Sequence, residues 1–473
     1  MKIGIGISLH SNAQVAAMEA VSQARKAVSK PTLAIVFGSI HLQQDQVYTG
    51  LMAAGLDPSI IFGGSSYAEI SPAGVTYKSL SVLLLDLPEA NIKTVSIPLQ
   101  EDPLVMSSSL LDALDDWQPD TNFINVGLLL SAISPGRENE MLAAMRQRMS
   151  NLAIFGGMTC GNYDLGMNHP EFWKNYQYCD GVEEQYVRLA ALQLPQNRYT
   201  VSFGVGHGWE PLGPTHVVTR ADAGTVYEVD GMSIVEFYRK FLGRDADEQF
   251  FELLVQRYGL ALQMEEKEGL LTKVKTPVKI DHEAGAMTFY PFENLQGRRV
   301  NLLQANRKSL IAGARQAAEK CLAGLEGKKP SLVLAVSCSQ RGAILHSRSN
   351  AEIEAVRDVM GENVPIAGWY SGGEIVPLLN RHKDVINENE NLGGTGFHGT
   401  TIGLLALSSM ETPKQIVVPK RIERSASGRD IEQLLKQSEE TLDSTESFLS
   451  NLSRQVYHDG ERLRAQSKVL HRY

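Results

Sequence analysis

Apolar positions along the chain follow two alternating rhythms. Unbroken runs of Val, Ile and Leu, such as LAIVFGS at 33–39 and FINVGLLLS at 123–131, are separated by stretches with an apolar residue every three or four positions. The first rhythm is that of strands buried on both faces, and the second that of helices packed through one stripe, so the chain reads as successive βαβ crossovers. Reading for self-similarity shows the same unit three times. The first copy is strand 33–39, helix 42–56, strand 59–66 and strand 79–87. The second is strand 123–131, a helix at 137–149 striped by Met141, Leu142, Met145 and Met149, strand 152–161 and strand 183–194. The third is strand 331–339, a helix at 349–361 striped by Ile353, Val356 and Met360, strand 364–375 and strand 397–407.

Between the second and third copies the rhythm changes. HVVTRADAGTVYEVDG (216–231) predicts two strands around an Asp-Ala-Gly turn, and SIVEFYRKFL (233–242) a helix after them. After 408 a linker with two prolines leads to a last helix, in which Leu435, Leu442, Leu449, Val456, Leu463 and Leu470 recur every seven residues. That is a coiled-coil seam, and it predicts a homodimer through 431–470; the other reading is a helix lying on its own globular body. The companion positions are mixed, with Ile431 and Leu452 apolar but Ser438, Thr445, Asp459 and Gln466 polar, a pattern that permits more than one packing. Gly460 weakens the final turns. The expected architecture is α/β: repeated β-α-β-β units forming two lobes, 1–198 and 199–408, then a linker at 409–428 and the coiled helix at 429–473.

Composition narrows the partners. A net charge of −9 lacks the basic patch that neutralises phosphates, which argues against nucleic acid. The N-terminus does not read as a signal peptide, and runs such as LSVLLLDL (80–87) are shorter than the roughly 20 residues of a membrane span, so no membrane insertion and a cytoplasmic location are expected. Cys160, Cys179, Cys321 and Cys338 have neither zinc nor disulfide spacing, and reduced thiols are expected.

Three segments resemble the C-terminal half of FIST domains: SCSQRG (337–342), VPIAGWYSGGEI (364–375) and FHGTTIGLLAL (397–407). FGSIHLQQDQVYTGL, IIFGGSSYAEI and GHGWEPLGPTHVVTRADAGTVYEVDG resemble the N-terminal half and its hairpin, and the likeness spans roughly 1–408. The resemblance implies a sensory module for a small ligand, with amino acids often suggested, coupled to a histidine kinase, a cyclase or a chemotaxis component. One branch of that family holds haem and senses nitric oxide. With no output domain after the coiled helix, the implied arrangement is a free-standing sensor acting on a partner in trans.

A ligand in such a sheet is expected beyond the carboxyl ends of the strands, where glycines and hydroxyls gather. Ser65 and Ser66, Thr159, and Trp369, Tyr370 and Ser371 stand there, in segments that read equally well as plain tight turns. Arg341 could fork a ligand carboxylate and Glu374 receive an ammonium, which suits a zwitterion held between the lobes; the bland alternative is that the two pair with each other. Trp369 and Tyr370 would cover an apolar part of the ligand or fill the interface between halves. No cofactor is demanded. Haem needs an axial histidine, and His207 is the first candidate because glycines flank it; His41, His346 and His398 are others, and each reads more simply as an ordinary histidine. GGSSY and YSGGE do not fit Gly-x-Ser-x-Gly, and no Gly-x-Gly-x-x-Gly or Walker loop is read as following a strand, GVGHGW being the nearest approach. Cys338 with His346 or His398 is the only nucleophile-base pairing to consider, and a buried cysteine is usually inert. The expectation is a ligand sensor rather than an enzyme, with a haem nitric-oxide sensor and a ligand-free coiled-coil scaffold as alternatives.

Overall fold

The computed structural model describes residues 1–132, 137–161, 174–242, 251, 255–262, 273–387, 395–410 and 416–417. The coiled-coil segment therefore lies outside the described residues. The chain forms two compact units, Met1–Gly208 with Leu310–Arg421 and Trp209–Glu266 with Thr272–Ser309. All three repeats sit in the first unit. The third repeat thus clusters with the other two rather than with the segment at 209–309.

Strand β1 (Lys2–Ser8) and the helix Ala13–Arg25 precede the first copy: β2 (Leu33–Ser39), the helix Gln44–Ala53, β3 (Ile61–Ser66), the hairpin β4 (Glu69–Ser71) and β5 (Gly74–Thr76), and β6 (Leu80–Asp86). The second copy has the same plan: β7 (Asn91–Pro98), helix Pro103–Asp112, β8 (Phe123–Ser131), helix Glu138–Arg148, β9 (Ala153–Met158), hairpin β10 (Gln177–Tyr178) and β11 (Val182–Glu183), then β12 (Tyr186–Pro195). The third begins at β13 (Tyr199–Gly206). The second unit then intervenes, with β14 (Glu210–Asp222), β15 (Thr225–Val229), β16 (Met232–Ser233), β17 (Tyr258–Leu262), β18 (Val274–Asp281), β19 (Ala286–Tyr290) and β20 (Arg299–Gln304). The repeat resumes with the helix Arg307–Gly324, β21 (Leu332–Cys338), helices Ser339–Leu345 and Ser349–Met360, β22 (Ile366–Ser371), hairpin β23 (Glu374–Pro377) and β24 (Thr395–His398), and β25 (Ile402–Ser409). A short β26 (Ile416–Val417) follows. The second unit is therefore an insertion between the leading strand of repeat three and its helix, and the leading strand and helix belong to every repeat.

One packing device supports that equivalence. Gly4 and Gly6 on β1 let the helix Ala13–Arg25 lie directly on the strand, since a Cβ there would stand 2.0 and 1.8 Å from the carbonyl oxygens of Ala24 and Ala20. Gly204 and Gly206 on β13 do the same for the helix Arg307–Gly324, with 2.0 and 2.2 Å to the carbonyl oxygens of Ala317 and Gly313. Side chains at these positions would force helix and strand apart.

Within each repeat the second strand pairs parallel to the first, as a crossover helix requires, and the third strand lies antiparallel on the first strand's other side. The sheets are thus mixed, not parallel throughout. Alternate residues of β2 explain its unbroken apolar run: Leu33, Ile35 and Phe37 face a core shared by all three sheets, while Ala34 and Val36 face the helices. β21 divides in the same way, with Leu332, Leu334 and Val336 inward and Val333 and Ala335 under its helices. The second unit is one antiparallel sheet, β14-β20-β17-β18-β19-β15-β16, with the helix Ile234–Leu242 contributing Ile234, Phe237, Tyr238 and Phe241 to its core. The β14–β15 pairing bears out the Asp-Ala-Gly turn, Ala223 taking a left-handed φ of 48° there. Among the described residues no helix is long and apolar enough to cross a membrane.

Candidate functional site

The hairpins are exchanged between repeats. β4 of repeat one pairs with β22 of repeat three, β23 of repeat three with β9 of repeat two, and β10 of repeat two with β3 of repeat one. Each junction lies at the carboxyl ends of the parallel strands, where the sequence places its unusual residues. Register makes Ser66, Thr159 and Ser371 equivalent. Each stands one residue past the partner of Gly38, Ser131 or Ser337, and those three in turn pair with Leu80, Val187 and Ile402, near the starts of the third strands. The residues just before these third strands repeat the pattern too: Lys78, Gln185 and Thr400 take left-handed φ values of 55°, 59° and 59°.

Two junctions are built around a buried acid. Glu69 accepts from the Ser66 hydroxyl at 2.7 Å and from that of Ser79. Glu374 accepts from Ser371 Oγ at 2.8 Å and from both the amide (3.0 Å) and the hydroxyl (2.8 Å) of Thr401. Both carboxyls are fully buried. Burial is the main cause that pushes Glu69 up to about 8 and Glu374 to about 7, against the pull of their hydroxyl donors. When protonated, each acid has an O–H that can donate a hydrogen bond to a neighbouring hydroxyl oxygen. The shared Ser-x-x-Glu spacing of Ser66 with Glu69 and Ser371 with Glu374 was a legible signal for Glu69, which sequence reasoning passed over.

The second junction differs. Its hydroxyl, Thr159 Oγ1, donates to Asn175 at 2.6 Å, and Gln177 replaces the acid. Gln177 Nε2 donates to the carbonyl of Tyr186 at 2.6 Å and, at 3.4 Å, to that of Leu130. Its Oε1 is buried and has no hydrogen-bond partner among the described residues. Nothing in NYQY (175–178) advertises this position, because the Ser-x-x-Glu spacing is absent there.

Ser65 and Cys160 tie repeats one and two through two 3.0 Å bonds, amide to carbonyl and hydroxyl to carbonyl. Trp369 belongs to repeat three, stacks on Phe37 of repeat one at 4.1 Å and donates its indole N–H to Met158 of repeat two at 3.2 Å. It fills the place where the repeats meet.

Arg341 is fully buried, and its partner is Glu352 at 2.5 Å rather than Glu374. Its five N–H donors are all used: Nε and one Nη2 donor on Glu352, the other Nη2 on the Leu310 carbonyl at 2.9 Å, and Nη1 on the carbonyls of His207 and, at 3.3 Å, Thr400. Glu352 also accepts from Ser337 at 3.0 Å and from Tyr370 at 2.6 Å. The arginine-acid cluster is closed on itself, and Tyr370 is part of it. Glu352 shares the buried helix face with Val356, an acid on an apolar stripe that the sequence did display.

His207 is partly buried, and burial above all lowers its pKa to about 4, so the ring is neutral. A Cβ on Gly313 would lie 2.5 Å from Gly208 N and 2.8 Å from the His207 carbonyl carbon, so glycine here serves the close approach of helix and strand. His41 and His346 are exposed and His398 is buried on β24 opposite Glu374. Among the described residues no three His, Cys, Asp or Glu side chains gather as a metal site. The four cysteines are buried and unbridged, and burial raises the Cys338 thiol well above its usual range, which leaves it protonated and a poor nucleophile.

The FIST N domain model matches residues 32–232 and the FIST C domain model residues 235–377. The chain belongs to the FIST family. FIST domains are sensory domains of signal transduction proteins. An uncharacterized protein of Mycobacterium tuberculosis is 23% identical over 394 residues, covering 80% of this chain and 95% of that protein. An uncharacterized protein of Mycobacterium bovis is 21% identical over 400 residues, 81% of this chain and 96% of the other. Among solved structures, a cyanuric acid hydrolase from A. caulinodans covers 69% of this FIST chain and 100% of its own, with 9% identity and a TM-score of 0.17, and that level carries no argument.

Proposed function

We propose that this FIST protein is a cytoplasmic small-ligand sensor rather than an enzyme, and that its ligand is taken at the second hairpin junction, beside Thr159, Asn175 and Gln177. The observation that carries the reading is the buried Gln177 Oε1 without a partner among the described residues. An acceptor buried unpaired costs about 1–3 kcal/mol, which a ligand N–H donor would restore. The other two junctions are already closed by hydroxyls, so the amide junction is where a donor such as an amino-acid ammonium has most to gain. Because hairpins are exchanged cyclically, a ligand that moves β10 acts on the sheet of repeat one, and that sheet pairs with β26 through Ile3 and Ile416. β26 leads towards the C-terminal segment, so the output runs through that segment, as a dimer over 431–470, to a histidine kinase, cyclase or chemotaxis component in trans.

The test is thermal stability across a panel of amino acids. A binder at 100 times its dissociation constant raises stability by about 2.7 kcal/mol. In Gln177→Leu the response to that amino acid should vanish while the protein stays folded; an undiminished response there would refute the assignment. An absorption spectrum of protein produced with ample haem is expected to lack a Soret band.

A further inference from the structure

The three sheets meet a second time at the opposite ends of their parallel strands. There a cavity of about 30 Å³ is lined only by Leu and Val, among them Leu33 from the first repeat's sheet, Leu128 and Leu194 from the second's, and Val201, Leu334 and Leu405 from the third's. Leu33 opens β2, whose far end, Ser39, is level with the hairpin junctions. Seven residues of strand separate the two places by roughly 20 Å. A water molecule needs roughly 10–15 Å³ and two to four polar partners. The space is sufficient and the partners are missing, so water does not hold the cavity. Its walls forgo dispersion contacts that an occupant would supply.

We infer that this cavity is a binding site for a small apolar molecule of one or two heavy atoms, of the size of xenon or dioxygen. A polar molecule would enter without a hydrogen bond to replace those it had in water. An aromatic ring is too large, since engineered cavities that take benzene measure roughly 150 Å³. Wall residues come from all three sheets, so an occupant touches every repeat at once and stiffens the shared core. The site is independent of the ligand assigned to Gln177, and Gln177→Leu should leave it unchanged.

Xenon is the probe. Full-length protein under a series of xenon pressures, followed by ¹²⁹Xe resonance and by melting temperature with helium as the pressure control, should show a saturable shift and a rising melting temperature. Val201→Leu, which fills the space with one more methylene, should reduce the xenon response at least tenfold while the protein still melts cooperatively. Leu334→Ala, which enlarges it, should strengthen the response. A wild-type protein that shows no saturable response while Leu334→Ala does would mean a packing void only and would overturn the inference. A response unaltered in Val201→Leu would overturn it as well, because the xenon would then sit elsewhere.

Discussion

The first and third hairpin junctions and the second occupy equivalent places in the fold and solve the same problem differently. At the first and third, a buried Glu is enclosed by hydroxyls, from Ser66 and Ser79 in one case and from Ser371 and Thr401 in the other. At the second, Gln177 has two carbonyl acceptors for its amide and a carbonyl oxygen that has no hydrogen-bond partner among the described residues. A closed junction is a structural fastening, whereas the second is the one we propose takes the ligand. Equivalent backbone geometry therefore does not imply equivalent chemistry, and the difference rests on a single side-chain type.

The comparison can be broken most severely at the ion pair behind the third junction. Arg341→Ala strands Glu352 without its charge partner in a fully buried site, and should lower stability by about 3–5 kcal/mol in chemical denaturation. The double change Arg341→Met with Glu352→Leu should recover much of that loss, which would separate a structural pair from one that binds ligand.

pH sharpens the contrast. Below about 4.5, the usual value for Glu, the folded and unfolded chains both hold the proton. Above it the unfolded chain releases its proton while Glu69 keeps its own up to about 8 and Glu374 up to about 7. Unfolding then releases protons, so stability should fall as pH rises across that window, by up to about 1.4 kcal/mol per pH unit for each acid. Denaturation midpoints from pH 5 to 8 measure it, and Glu69→Gln should flatten the slope. A slope unchanged in that variant would show that the acid is ionised in the folded protein.

Glu374→Ala should cost about 1–3 kcal/mol, because Ser371 Oγ and the amide and hydroxyl of Thr401 lose their acceptor inside the core. Gln177→Leu should change stability least, by under about 1 kcal/mol, since it removes an acceptor without a partner among the described residues together with the amide's two bonds. A loss at Gln177 as large as that at Glu374 would erase the distinction between closed and open junctions.

Local pattern made much of this legible. Runs such as 33–39 and 331–339 marked the strands, because burial on both faces leaves mainly apolar residues in them, with small serines towards the ends. The helical stripes marked the crossovers, and the glycine and hydroxyl segments at 63–66, 156–160 and 368–373 marked the strand ends that form the junctions. The leading strands were harder to see. GIGIS at 4–8 and SFGVG at 202–206 carry their signal in glycines that matter only once a helix lies against them.

By itself, then, the sequence determined the three-fold repetition, the α/β class and the Ser-x-x-Glu spacing of two of the three junctions, because strand and helix periodicity and short spacings are local properties. Tertiary structure alone decided that each hairpin joins a neighbour's sheet, that Arg341 pairs with Glu352, and that a whole unit interrupts the third repeat. Those are pairings between residues far apart in the chain. Arg341 could have met either acid on spacing alone, and only the packing of the helix Ser349–Met360 against β21 and β22 brings Glu352 to it with Ser337 and Tyr370 on its other oxygen.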